Sequence, residues 1–271
     1  TFLMRFFLLC LLLAGFTSLQ AQELYVFSDP ASNVPARSLV TKGFVQLGTR
    51  NPLPQRYGAE VMAGVSKKLM LRAGTTVSNM MMRGNRWEAA YLYGKYRFLS
   101  KDGVHAHFRM AAFAEAAYSR NPTFFDEINI QGDVSGSQLG LVATQLKNKT
   151  AVSATVAYLS AFRKPTPPGY GIPVVQNAVG YSLSAGTLVL PRVYKNYDQL
   201  NFNIYAELLG QKARGSDAWF VDLAPAIQFI VKSNTKFNLG YRFQLDGTAS
   251  RFTQNMFVLG VEHTFFNALK K

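Results

Sequence analysis

The residue types that most often do chemistry are scarce in this chain, which has three histidines and one cysteine among 271 residues. His105 and His107 are two positions apart, so in a strand both side chains lie on one face, as two metal ligands would. A third ligand is not evident, because Glu115 lies about 27 Å further along an antiparallel strand. The sequence therefore predicts no metal site.

The serines lack the partner that hydrolysis requires, which is a base in contact with the nucleophile. Ser233 and Lys236 match the pattern S-x-x-K, but the companion motifs of that class of enzyme are missing. The sequence also has no glycine-rich phosphate loop and no cluster of cysteines and histidines. It thus predicts no catalytic residue, no cofactor and no enzymatic activity.

Polar and apolar residues instead alternate along much of the chain. In residues 236–245, which read KFNLGYRFQL, aromatic and aliphatic side chains alternate with Lys, Asn, Gly, Arg and Gln. Such a run is typical of a strand with one apolar face, and about ten residues cross a bilayer when tilted. The pattern recurs to give about twelve runs: 39–47, 57–66, 69–78, 87–98, 104–119, 137–146, 150–162, 176–190, 200–208, 219–229, 236–245 and 256–266.

The connections between these runs alternate in length. Those after even-numbered runs are short or moderate, and those after odd-numbered runs are mostly longer, up to residues 120–135 and 163–175. Short periplasmic turns and long outer loops are typical of outer-membrane barrels. The sequence therefore predicts an all-β fold, a single antiparallel up-and-down transmembrane β-barrel of about 12 strands over residues 37–271, with both termini periplasmic.

The first 36 residues do not alternate in this way. Met4 is interpreted as the initiator, followed by Arg5 and an apolar stretch, and residues 1–21 are predicted to be a signal peptide cleaved before Gln22. That peptide would contain the only cysteine, Cys10. Residues 22–36 are rich in turn-forming residues. They are predicted to form an N-terminal periplasmic lead-in or a plug within the barrel.

The chain is basic, with a formal charge of +14, and loss of the signal peptide removes only Arg5 from this excess. Because export argues against nucleic acid, the predicted partners are outer-membrane lipids, including anionic surface lipid, and an envelope protein is a further candidate. Much of the excess charge is expected in turns and loops. We expect Lys236 near the periplasmic side, and Arg56 and Arg251 in solvated outer loops.

The last strand, residues 256–266, reads MFVLGVEHTFF and ends on aromatic residues. In this feature and in its strand pattern, the chain resembles the Gram-negative outer-membrane β-barrel class. The resemblance implies that the barrel-assembly machinery is a partner during biogenesis. The strand number also resembles that of outer-membrane phospholipases and of nucleoside or oligogalacturonate channels.

Charged residues on the polar face of each strand are predicted to point into the lumen. There they either select solutes or fill a narrow barrel with ion pairs. Arg242 is expected to face Asp222 or Glu262.

The leading hypothesis is a small channel for an unidentified solute, with an accessory envelope barrel or an embedded hydrolase as alternatives. Trp87 and Trp219 are expected at the outer rim. The candidate lumen charges are Lys42, Glu60, Arg72, Glu88, Lys95, Arg97, Arg109, Glu115, Glu207, Asp222, Arg242 and Glu262.

Overall fold

All twelve alternating runs form strands in the computed structural model, which describes residues 25–81, 83–104, 106–122, 124–162, 175–191 and 198–270. The strands are β1 Leu39–Gly48, β2 Gln55–Gly64, β3 Leu69–Ser78, β4 Arg86–Asp102, β5 Ala106–Ser119, β6 Gly136–Lys147, β7 Thr150–Ala161, β8 Asn177–Leu190, β9 Asn201–Ala213, β10 Trp219–Val231, β11 Thr235–Gly247 and β12 Asn255–Phe265.

Each strand pairs antiparallel with its neighbours in sequence, and β1 also pairs with β12, which closes the sheet. The closing pair runs without a break from Leu39 opposite Phe265 to Gly48 opposite Met256. The prediction of an up-and-down barrel of about 12 strands is therefore confirmed. Closure matters because it leaves no strand edge with unpaired N–H and C=O groups, the condition under which a sheet can exist in hydrocarbon.

The two faces of the sheet differ sharply in polarity. On the outward face, Leu92 is 68% exposed and Leu139 is 65% exposed. On the inward face, Glu207 and Asp222 are fully buried. Exposed aliphatic and buried charged side chains reverse the usual arrangement of a water-soluble protein. Among the residues described, no helix has the length and apolarity needed to cross a membrane.

The two ends of the barrel differ in the length of their connections. At one end, the turn end, the strands are joined by residues 65–68, 103–105, 148–149, 191–200 and 232–234. The other end, the loop end, carries residues 49–54, 79–85, 120–135, 162–176, 214–218 and 248–254. The chain enters β1 and leaves β12 at the turn end. We name residues 120–135 loop L3.

An irregularity in β4 explains why its alternation is imperfect. The register with β3 shifts between Thr76 and Val77, so that Ala89 lies opposite Thr76 and Trp87 opposite Val77. Glu88 and Ala89 are consequently both buried on the inward side. A bulge of this kind redirects one side chain, and it brings the Glu88 carboxylate into the barrel.

Replacing Leu92 by Arg should strongly destabilise the barrel in a bilayer, because Leu92 pairs with Ala73 at the middle of β3 and points outward. A cation at mid-depth on the lipid face costs about 2–4 kcal/mol, against about 0–1 near the interface. The matched control is Val104→Arg, in the turn after β4. Urea unfolding in lipid vesicles measures the free energy of unfolding of each variant. If both variants lost the same amount of stability, this would contradict an outward face that lies in lipid.

Candidate functional site

The part of the chain just before β1 lies inside the barrel. We call residues 25–36 the N-terminal segment; residues 1–24, with the predicted signal peptide and its cleavage site, lie outside the described residues. The Glu207 carboxylate on β9 accepts hydrogen bonds from three successive backbone amides, those of Val26, Phe27 and Ser28, at 2.9–3.0 Å. A single buried carboxylate thus satisfies backbone donors that have no sheet partner.

Opposite strands hold the rest of the N-terminal segment. Asp29 forms an ion pair with Arg72 on β3 at 3.1 Å. The Lys95 ammonium on β4 donates to the carbonyl oxygens of Pro30 and Ser32, at 2.7 and 2.8 Å. The charged residues of the barrel wall therefore bind the backbone of the N-terminal segment as well as other charged side chains.

A glycine on β11 provides space for the segment's aromatic side chain. The Phe27 ring lies against Gly240, and a Cβ atom placed at Gly240 would be only 2.6 Å from the ring. A larger residue at position 240 would displace Phe27, so the absence of a side chain there permits this close packing.

Loop L3 enters the barrel from the opposite end. Ile128 and Ile130 are 3% exposed, and the backbone of Ile128 exchanges two hydrogen bonds with the Gln211 amide on β9, at 2.8 and 3.1 Å. Gln131 donates to the Glu115 carboxylate on β5 at 3.1 Å. Apolar residues in an otherwise polar loop are the sequence signal of this insertion, and the sequence analysis missed it.

Ion pairs hold L3 to the wall at the loop end. Arg251 contacts Glu127 of L3 at 3.0 Å and Asp222 at 2.7 Å, and Arg242 pairs with the same two carboxylates. Although burial raises the pKa of Glu127, Arg251 and Arg242 hold it below its usual value. The Arg251 guanidinium also lies 3.8 Å from the centre of the Phe220 ring. The expectation that Arg251 is solvated is wrong, because Arg251 is needed inside to neutralise these acids.

A second pairing fixes the end of L3. Arg56 on β2 pairs with Glu88 and with Asp133 of L3. Burial raises the pKa of Asp133 despite the opposing effect of Arg56. Arg56 is 2% exposed, so its expected place in a solvated outer loop is also wrong. The β4 bulge supplies the physical reason, because it turns Glu88 inward as a partner for Arg56.

The two inserted segments leave an elongated space against one side of the barrel, which we call the wall cavity. It has a volume of about 320 Å³, and the N-terminal segment and L3 bound it from within the barrel. Its wall residues come mainly from β1, β2, β11 and β12, with others from β3, β4, β6 and β7. Its lining includes both Lys236 and Arg242, six residues apart on β11, so it extends for about 20 Å along that strand.

Alternating charges cross the wall cavity near the turn end. Lys236, Glu262, Lys42 and Glu60 lie opposite one another on four adjacent strands, and we call these residues the charge row. Lys236 pairs with Glu262, and Lys42 is 3.4 Å from Glu60. Lys236 is 2% exposed, so it lies at the turn end but inside the barrel. It is buried because Glu262 offers it a partner.

A second cavity of about 230 Å³ lies on the other side of the inserted segments. Glu115, Thr155 and Ser182 are part of its lining, together with the apolar residues Phe113 and Leu159. The N-terminal segment and L3 therefore divide the lumen rather than fill it completely.

The predicted site residues lie in three parts of the barrel. Those buried or half-buried within the barrel are Lys42, Glu60, Arg72, Glu88, Lys95, Arg109, Glu115, Glu207, Asp222, Arg242 and Glu262. Arg97 instead lies at the turn end, where it donates to the Lys67 carbonyl oxygen at 2.8 Å. Trp87 and Trp219 lie at the loop end of their strands. The Trp87 ring stacks on the Tyr118 ring, with the two ring centroids 6.1 Å apart.

The histidines do not assemble a site within the described ranges. His105 lies outside them, and the His107 ring contacts Asp102 at 2.9 Å. No group of three metal-ligating side chains comes together in the described part of the chain.

Comparison with solved structures places the fold among outer-membrane β-barrels. An outer membrane channel from Pseudomonas putida F1 is similar with a TM-score of 0.59 and 10% identity, covering 89% of this chain and 100% of that one. The beta domain of the Bordetella autotransporter Brka follows with a TM-score of 0.50 and 13% identity (84% and 99% covered). The KdgM porin has a TM-score of 0.47 and 12% identity (84% and 99% covered).

Scans against protein-family models and curated proteins found no match. The predicted resemblance to the outer-membrane β-barrel class is therefore confirmed at the level of the fold.

Replacing Glu207 by Leu should release the first residues of the N-terminal segment. The change leaves three amides without an acceptor, at about 1–3 kcal/mol each. Hydrogen exchange at Val26, Phe27 and Ser28 should become faster by on the order of tenfold or more. The matched control is Glu262→Leu, which removes a lumen carboxylate that pairs with Lys236 instead. Unchanged exchange in the Glu207 variant would show that other contacts hold the segment.

Proposed function

We propose that this protein is an outer-membrane channel that passes small polar solutes along the wall cavity. The observation that carries the proposal is the cavity itself, which follows the inner faces of β11, β12, β1 and β2 for about 20 Å. A barrel of eight strands is filled by its own side chains, whereas 16–18 strands leave an open channel. With twelve strands, the inserted segments determine how much of the lumen conducts.

The charge row sets the electrostatics of this pathway. Its two cations and two anions alternate, and each cation faces an anion on the next strand. A solute passing Lys42 and Glu60 therefore meets paired charges rather than a field of one sign. Rings of like charge give pores their ion selectivity, so the proposed channel discriminates mainly by size and hydrogen bonding.

The proposal includes an orientation and a route of export. Residues 1–21 would direct export, the turn end and both termini would face the periplasm, and the loop end would face outward. The aromatic-ended strand β12 would be recognised by the barrel-assembly machinery. Outer-membrane lipids, including anionic surface lipid, would contact the outward face and the basic loops, with Trp87 and Trp219 at the outer rim.

A second candidate is an accessory barrel that holds an envelope partner without conducting. The observation in its favour is that the N-terminal segment and L3 occupy much of the interior and are tightly bonded to the wall. An embedded hydrolase gains no such support, because neither described histidine contact, His107 with Asp102 or His263 with Thr235, is seen to join a nucleophile, a base and an orienting acid in one triad. We therefore propose no enzymatic role.

Deletion of residues 25–34 should enlarge the pathway, because it removes the boundary of the wall cavity on one side. In planar bilayers we expect the wild-type barrel to give small, discrete conductance steps and the deletion variant to give steps several-fold larger. Heat-modifiable migration on a gel controls for correct folding of both proteins. Folded barrels that do not conduct in either form would contradict the channel and favour the accessory barrel.

Glu262→Gln should make the channel prefer anions, because it leaves Lys236 in the charge row without its carboxylate partner. The reversal potential in a salt gradient should move toward that of chloride. Glu88→Gln is the matched control, since Glu88 is equally inside the barrel but pairs with Arg56 away from the wall cavity. The same reversal potential in both variants would mean that ions do not pass the charge row.

A further inference from the structure

Several buried polar atoms that line the wall cavity have no hydrogen-bond partner. They are both amide atoms of Asn33, Nε of Arg72 and Oε2 of Glu60, which accepts no hydrogen bond although the Lys42 ammonium lies 3.4 Å from it. Glu60 and Arg72 are 4% and 6% exposed, so these atoms are well removed from bulk solvent. Buried polar groups are normally hydrogen-bonded. Two of the atoms are donors and two are acceptors, so a matching ligand carries both kinds of group.

An aromatic surface lies just above the charge row. Phe44 on β1 has a glycine opposite it on each neighbouring strand, Gly58 on β2 and Gly260 on β12. The ring leans over Gly58, where a Cβ atom would be 2.1 Å from it. At Gly260, in contrast, a Cβ atom would make only ordinary van der Waals contacts, with Asn238 and the Gly43 carbonyl oxygen at 3.7 Å. Gly260 and Phe44 both line the wall cavity, and we call the part of the cavity beside them the Gly260 gap.

The charges around this gap are already neutralised. Arg72 pairs with Asp29, and Lys236 with Glu262. A charged ligand would have to break one of these pairs in a site of low dielectric constant, which is costly. A neutral ligand with hydroxyl groups leaves the pairs intact. The apolar face of a sugar ring also fits the Phe44 surface, and a cavity of about 320 Å³ is at the lower end of small-molecule sites.

We propose that the wall cavity binds a small neutral polyol, of the size of a monosaccharide, as the solute of the channel. Its ring lies in the Gly260 gap against Phe44, and its hydroxyl groups bond Asn33, Glu60 and Arg72. This assignment rests on the proposed function, since it names the solute class of the same pathway.

The test measures binding of glucose to the detergent-solubilised full mature chain by titration calorimetry, which needs no conductance. We expect saturable binding of glucose and none of glutamate or glucuronate. Gly260→Val should weaken glucose binding by about tenfold or more, because the side chain fills the gap. The matched control is Gly43→Val, which adds the same side chain to the outward face of β1, where nothing lies within 4 Å.

A second pair of variants keeps the test valid if Gly260→Val fails to fold. Asn33→Leu should lose glucose binding, whereas Asn201→Leu, which removes another buried oxygen without a partner outside both cavities, should keep it. Tighter binding of glutamate or glucuronate, or equal binding by the variants and their controls, would overturn the polyol site. Glucose binding by a barrel that never conducts would support the site and refute the channel, and conductance without glucose binding would do the reverse.

Discussion

The circumference of twelve strands is the constraint on which the rest of the structure depends. A barrel of this circumference has a wider interior than an eight-stranded barrel, whose own side chains fill it. Its interior is narrower than that of a porin of 16–18 strands, which holds an open channel. Two stretches of non-strand chain enter this space, and their backbone groups need partners that the sheet does not supply. Glu207 binds three amides and Lys95 binds two carbonyl oxygens for this reason. The barrel is wide enough to admit these segments, and the buried charged residues are needed to bond their backbone.

The inserted segments are bonded to several sides of the interior, and the proposed pathway is the space that they leave along β11, β12, β1 and β2. Glu207, Lys95 and Gln211 hold them from β9 and β4. Along β11, β12, β1 and β2 the wall residues of the charge row pair with each other instead. The same physical requirement, that a buried charge needs a partner, therefore holds the segments to the wall and neutralises the charge row along the wall cavity.

The strands could be predicted from the sequence because their outward-facing residues are mainly apolar, so a period of two is visible even at Arg242 and its neighbours. Arg242 does pair with Asp222, one of its two expected partners. Pairings that depend on register or loop placement could not be predicted. The bulge in β4 turns Glu88 toward Arg56, and Arg251 is buried between Asp222 and the Glu127 that L3 brings to it. No local pattern encodes either event.

Cysteine modification at Gly260 tests the location of the pathway most directly, since the only natural cysteine, Cys10, falls in the predicted signal peptide. In bilayers, a charged thiosulfonate reagent should lower the current of the Gly260→Cys channel in discrete steps. It should leave the Gly43→Cys channel unchanged, because that side chain points outward from the same part of the wall. A modified Gly260→Cys protein that conducts as before would show that solutes do not pass along the wall cavity.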